Sequence, residues 1–141
     1  MSAGHPVRGT TRERGRLPEL EAVGIEAVVG DPYRLMTLMP HVANTSAMFW
    51  LMGSAEGGDV EALHRTRLQT VLERLVDTPV RGMVYESAGT LPARLLREGA
   101  AAVRKAALTW QMPNVIVEQH PRDHDAWLRA MLAAVEEVLA L

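Results

Sequence analysis

The chain has 141 residues, 48% of them hydrophobic, and a formal net charge of −2. That suits one domain with a sizeable core and excludes a strongly basic surface that coats nucleic acid. It has no cysteine and only three Trp, two Tyr and one Phe, which excludes disulfides and thiol chemistry and leaves an aliphatic core with Met as filler.

The elements alternate along the chain. Residues 2–5 (Ser-Ala-Gly-His) read as the end of a helix, with Gly4 at the stop position. Apolar or β-branched runs at 7–11, 25–29, 47–52, 80–85 and 115–117 read as strands. "AMFWLM" has no polar face, which fits a buried parallel strand. Between the strands lie helical patterns. Residues 14–23 put Leu17, Leu20 and Val23 on one face, and 32–42 group Leu35, Leu38, Met39 and Val42. Asp59 is the expected N-cap of a helix carrying Val60, Leu63, Val71, Leu72 and Leu75. Residues 91–110 read as a helix with a weak point at Gly99, which allows for two helices. Asp123 is the expected cap of a last helix striped by Trp127, Leu128, Met131, Leu132, Val135, Val138 and Leu139.

Strand–helix alternation implies an α/β fold: a parallel sheet of about five strands with helices on both faces, in one domain covering 1–141. Ligands of open α/β sheets bind beyond the carboxyl ends of the strands. The informative residues are therefore 10–12, 30–31, 53–55, 87–89 and 118–120, and "GSAEGG" at 53–58 is the most flexible stretch. No apolar run approaches the roughly 18 residues of a membrane span. No apolar stretch follows the first charges as in a signal peptide, so a cytoplasmic location is expected.

Several residues carry two readings. Arg12, with Arg14 and Arg16 near it, is either a solvated turn or a guanidinium for a phosphate. Asp31 is either a hydrogen-bond acceptor for a ligand or the N-cap of a helix starting at Pro32. Gly53 and Ser54 line a ligand or form a plain strand-to-helix loop. Ser87 is a reactive hydroxyl or a small residue at a strand end. His64, beside Arg65 and Arg67, reads as part of a polar helix face, and Trp50, Trp127 and Met131 as core. His120 and His124 with Asp123 and Asp125 suggest a metal only weakly, because Pro121 keeps both imidazoles off one helix face. No metal site is expected.

The order of these signals resembles a known family. "GHPVRGTTRERGRLPELEAVGIEAVVGDP", followed by "LMGSA" and "VYESAG", is similar to the NAD(P)-binding Rossmann proteins of the extended and atypical (NmrA-like) short-chain dehydrogenase/reductase superfamily, which includes the sugar-nucleotide epimerases. The resemblance covers residues 1 to about 120. It implies a Gly-His-x-Val joining the first helix to the second strand, an Arg after that strand and a Gly-Asp after the third. On this alignment the chain lacks the first strand, the Gly-rich turn and the first helix, a part somewhat shorter than the roughly 30 residues of a βαβ unit, and Met1 reads as an internal methionine.

The resemblance implies NADP as the cofactor. Thr11, Arg12, Asp31, Gly53, Ser54 and Ser87 are the expected binding residues, with Arg12 on the 2′-phosphate and Asp31 on the adenine amino group. It also implies a Tyr with a Lys four residues later as the catalytic pair. Four residues after Tyr33 stands Thr37, four after Tyr85 stands Gly89, and the one lysine, Lys105, follows Ala101 by four. The expectation is a domain related to NADP-dependent reductases and epimerases, without catalytic activity in this chain. Without the Gly-rich turn its NADP binding is expected to be weak. The alternative is a non-enzymatic dimerising scaffold or redox-sensing module. Unpaired central strand edges make a homo-oligomer the expected state; neither nucleic acid nor a membrane is expected as a partner.

Overall fold

In the computed structural model, residues 6–42, 45–56 and 59–140 are described. The helix end expected at 2–5 lies outside them, as do Gly57 and Gly58 of the "GSAEGG" stretch. The chain divides into two compact units, Met1–Val42 and Ala43–Leu141.

All five expected strands form, every pairing is parallel, and they lie in two small sheets. In the first unit β1 (Arg8–Thr11) pairs with β2 (Glu26–Val29), with Thr11 opposite Val29. The link between them is a 3-10 turn, Arg14–Arg16, and a short α1 (Leu17–Ala22). Leu17 and Leu20 of α1 are half-buried, but Val23 is 64% exposed, so the expected third member of that face does not join it. The helix ends at Ala22, and Val23 sits in the turn where the chain reverses into β2. The helix expected over 32–42 is shorter too. A turn occupies 31–34, α2 is Leu35–Leu38, and a 3-10 segment Met39–Val42 follows.

In the second unit the strand order is β3-β4-β5, from Ala47–Trp50, Gly82–Glu86 and Asn114–Val117. Every residue of β4 is buried. Its residues alternate between two covered faces, as a strand's period of two requires. Val84, with Phe49, Val115 and Val117, packs on Met131, Ala134 and Val138 of α5 (His124–Ala140). Tyr85 points the other way, against Gly99 of α4 (Ala93–Trp110). The sheet is thus covered on both faces, as parallel sheets are.

Two expected helices change form. The helix expected from Asp59 begins as a 3-10 turn, Ala62–His64, before α3 (Thr66–Leu75). Asp59 Oδ1 accepts the Ala62 N–H at 3.3 Å, so it caps the turn rather than α3. The break falls at Arg65, whose backbone leaves the helical region, and it lets Leu63 and His64 turn inward. Conversely, α4 runs unbroken through Gly99. That glycine is needed by its neighbour: a Cβ there would collide with the Tyr85 hydroxyl.

Gly99→Ala should therefore destabilise the protein by about 2 kcal/mol through overpacking, although alanine is intrinsically the better helix residue by up to about 1 kcal/mol. Chemical denaturation checks the sign; a stabilised variant would show that the Tyr85 contact yields freely.

Candidate functional site

The carboxyl ends of the strands carry the expected residues in both units. In the first, β1 runs out at Thr11, whose carbonyl accepts the Gly30 N–H at 2.9 Å and so ties the two strand ends together. Thr11 Oγ1 accepts the Glu13 N–H at 3.2 Å, closing a side-chain turn around Arg12. Arg12 is exposed, and its guanidinium carbon lies 5.8 Å from the centre of the Tyr33 ring, within cation–π range.

Asp31, at the end of β2, does not cap a helix starting at Pro32. Its Oδ1 accepts the Tyr33 N–H at 2.9 Å, and its own N–H donates to Thr37 Oγ1 at 2.8 Å. The Asp31 carbonyl accepts the Arg34 N–H at 2.9 Å. A short polar side chain bonding two residues ahead makes a turn in competition with a helix, and α2 starts only after it.

In the second unit the ends of β3 and β4 are joined by an internal polar network. Glu86 is 4% exposed. Its Oε1 accepts the Gly53 N–H at 3.0 Å and its Oε2 accepts the Trp127 Nε1–H at 2.7 Å. Ser54 Oγ accepts the Thr90 N–H at 3.0 Å, and the Gly53 carbonyl accepts the Leu91 N–H at 3.0 Å. The two loops come so close that a Cβ on Gly53 would strike the Ala88 carbonyl and one on Gly89 would strike Gly53. Ser87 Oγ donates to the Val117 carbonyl at 3.2 Å, binding the end of β4 to β5.

A second buried chain of hydrogen bonds lies on the opposite face of β4. His64 is 1% exposed, so it is no part of a polar helix face. Its Nε2 is 2.8 Å from the Met52 carbonyl and its Nδ1 is 2.5 Å from the Tyr85 hydroxyl. A carbonyl only accepts, so Nε2 carries the proton. In the neutral ring Nδ1 then accepts from the Tyr85 O–H. Burial lowers the His64 pKa, partly offset by the Met52 carbonyl. Burial, and then the Glu86 charge, pushes the Tyr85 hydroxyl well above its ordinary range. Both side chains are held neutral near pH 7.

Tyr33, Glu86 and His64 are the residues that reading the sequence for chemistry missed. His64 had a signal: it lies four residues after Val60 and four before Leu68, on the apolar stripe. Glu86 ends an otherwise apolar strand, the place where a carboxylate must find internal donors. Trp50 and Met131 are core as expected, and Trp127 is half-buried with its indole N–H bonded to Glu86. His120 Nδ1 accepts the Arg122 N–H at 3.0 Å, a local turn contact. Among the described residues no three His, Cys, Asp or Glu side chains gather as metal ligands.

No family model matches the chain, and no curated protein matches it either. Among solved structures the fold is similar to the crystal structure of the Citrobacter sp. triphenylmethane reductase complexed with NADP(H), with a TM-score of 0.57 and 18% identity. The match covers 76% of this chain and 37% of that one, so the chain spans little more than a third of the reductase's length. The likeness is one of fold: parallel strands alternating with helices.

The buried imidazole generates a pH prediction. A histidine with a lowered folded pKa binds fewer protons than the unfolded chain, so stability rises with pH through the gap between the two values. The contribution is complete above the ordinary value near 6.5 and is lost as pH falls below it. Denaturation midpoints of the unchanged chain should therefore drop below about pH 6.5, and His64→Gln should flatten that dependence. An equal acid slope in both proteins would assign the effect to other groups.

Proposed function

We propose that the chain is an NADP(H)-binding domain of Rossmann type, related to NADP-dependent reductases and, more distantly, to the epimerases of that superfamily. Residues 1–141 are read as one nucleotide-binding domain made of two compact units. What supports this is the position of Arg12. It follows β1 directly, is exposed, and has no carboxylate within ion-pair distance among the described residues. An unpaired guanidinium at the carboxyl end of a parallel strand suits a phosphate dianion, which its planar fork meets with two hydrogen bonds. The fold neighbour is a reductase in complex with NADP(H), which is consistent with that ligand.

In this reading Arg12 takes the 2′-phosphate and the Thr11 turn presents it. Asp31, whose Oδ1 is bonded to Tyr33, offers its second carboxylate oxygen to the adenine amino group. Within the second unit, Gly53, Ser54 and Ser87 are proposed as nucleotide contacts by shape alone, because the Gly53 N–H and the Ser87 hydroxyl are already engaged internally. A nicotinamide cofactor supplies hydride chemistry when bound. This chain carries no Tyr-x-x-x-Lys pair, so the reading assigns it binding and no catalytic residue. A cytoplasmic location suits a domain of this kind.

A second reading, a self-associating scaffold or redox sensor, is favoured by β3. It stands at the end of its sheet's strand order and presents Ala-Met-Phe-Trp, a run with no charge to discourage pairing with another chain. Size-exclusion chromatography with light scattering should show a dimer or larger species; a monomer at every concentration would remove the scaffold reading.

Calorimetric titration tests the nucleotide reading. Binding of NADPH should be weaker than about 1 μM, that is, less favourable than about −8 kcal/mol, yet tighter than that of NADH. Arg12→Ala should remove most of the difference. Equal affinities for the two nucleotides in the unchanged chain, or equal losses in Arg12→Ala, would reject the 2′-phosphate role.

A further inference from the structure

We infer that Tyr33 is the positioning residue that sets the preference for a 2′-phosphorylated nucleotide, by holding the Arg12 guanidinium over its ring. This deepens the nucleotide reading above and rests on it.

A free arginine is a poor discriminator. Its side chain carries about 2 kcal/mol of rotamer entropy, much of it lost when the guanidinium is fixed on a phosphate. Selectivity gains if that loss is taken before the ligand arrives. Arg12 is exposed, and the contact that fixes it is the Tyr33 ring at 5.8 Å. The attraction acts through the cation's charge on the ring face, so the N–H fork remains free to meet two oxyanions. The oxyanion must be the one beside β1, because the contact holds the guanidinium there.

Tyr33 can do this because its backbone is itself fixed. Pro32 before it has a locked φ. Its N–H donates to Asp31 Oδ1 at 2.9 Å, and Asp31 in turn accepts the Arg34 N–H and donates to Thr37 Oγ1. The turn between β2 and α2 is thus a rigid mount for an aromatic ring. Arg12 on the loop after β1 and Tyr33 on the loop after β2 meet because Thr11 stands opposite Val29 in a parallel pair whose ends are closed by the Gly30 N–H.

The test uses the whole chain with NADPH and NADH as probes. Tyr33→Leu removes the ring face. Tyr33→Phe keeps it and removes only the hydroxyl. The ratio of the two dissociation constants should fall about threefold in Tyr33→Leu, the worth of an exposed cation–π contact, while NADH binding stays the same. Tyr33→Phe should keep the ratio of the unchanged chain. An unchanged ratio in Tyr33→Leu, in a protein whose preference Arg12→Ala still abolishes, overturns this inference and leaves the nucleotide reading standing. Equal weakening of both nucleotides, or a loss in Tyr33→Phe as large as in Tyr33→Leu, also overturns it. No NADPH preference in the unchanged chain overturns the nucleotide reading, and this inference falls with it.

Discussion

β4 has no face turned to water, and most of the second unit follows from that. A strand buried on both faces must have a helix layer on each side, and α5 and α4 supply them. It must also satisfy every polar atom it carries from within the protein, since an unbonded buried group costs about 1–3 kcal/mol. β4 carries two such side chains at its carboxyl end, Tyr85 and Glu86, pointing to opposite faces. No buried side-chain nitrogen or oxygen among the described residues lacks a partner. The solution on each side shapes the loops. Tyr85 donates to His64, which donates to the Met52 carbonyl; Glu86 gathers the Gly53 N–H and the Trp127 indole. Both networks end on the loop just after β3, which is thereby gripped from above and below the sheet.

The Glu86 side of that grip is the more demanding. A buried carboxylate without a cation depends on donors aimed at its oxygens, and charge-assisted bonds contribute roughly 1.5–3 kcal/mol each. Glu86 has two such bonds, one from a backbone amide and one from an indole. Both come from elements distant in sequence, so both are in place only when β3, β4 and the start of α5 are assembled. Here a polar group specifies the arrangement, and apolar packing by Val84, Val117 and Met131 supplies most of the burial.

The alternation of elements was legible because it is written in long patterns: five apolar runs and the stripes between them. What was not legible depended on single contacts across the chain. Gly99 looks like a helix breaker by propensity, yet α4 continues through it, because the missing Cβ is the space the Tyr85 hydroxyl occupies. The run at 80–85 ends one residue early in the sequence, since Glu86 is charged; in the structure it pairs with Val117 as the last rung of the ladder. Asp31 before Pro32 matches a helix start, but its carboxylate bonds to Tyr33 and closes a turn first. Of the candidate site, the placement of its residues at strand ends was readable from the alternation of strands and helices. The partners that decide what those positions can do, Tyr33 and Glu86, were not.

Those partners separate two kinds of strand end. After β3 and β4 the polar groups are turned inward: the Gly53 amide, the Ser54 oxygen and the Ser87 hydroxyl each have an internal partner. A ligand reaching them gains shape and van der Waals contact, and any new hydrogen bond competes with one already made. After β1 the chain instead ends in a cation that no carboxylate among the described residues neutralises. Its nearest aromatic neighbour holds it without taking its charge away. An exposed guanidinium is solvated by water, and its donors stay available to an anion that displaces that water. That asymmetry is what the proposed anion-binding role of Arg12 rests on.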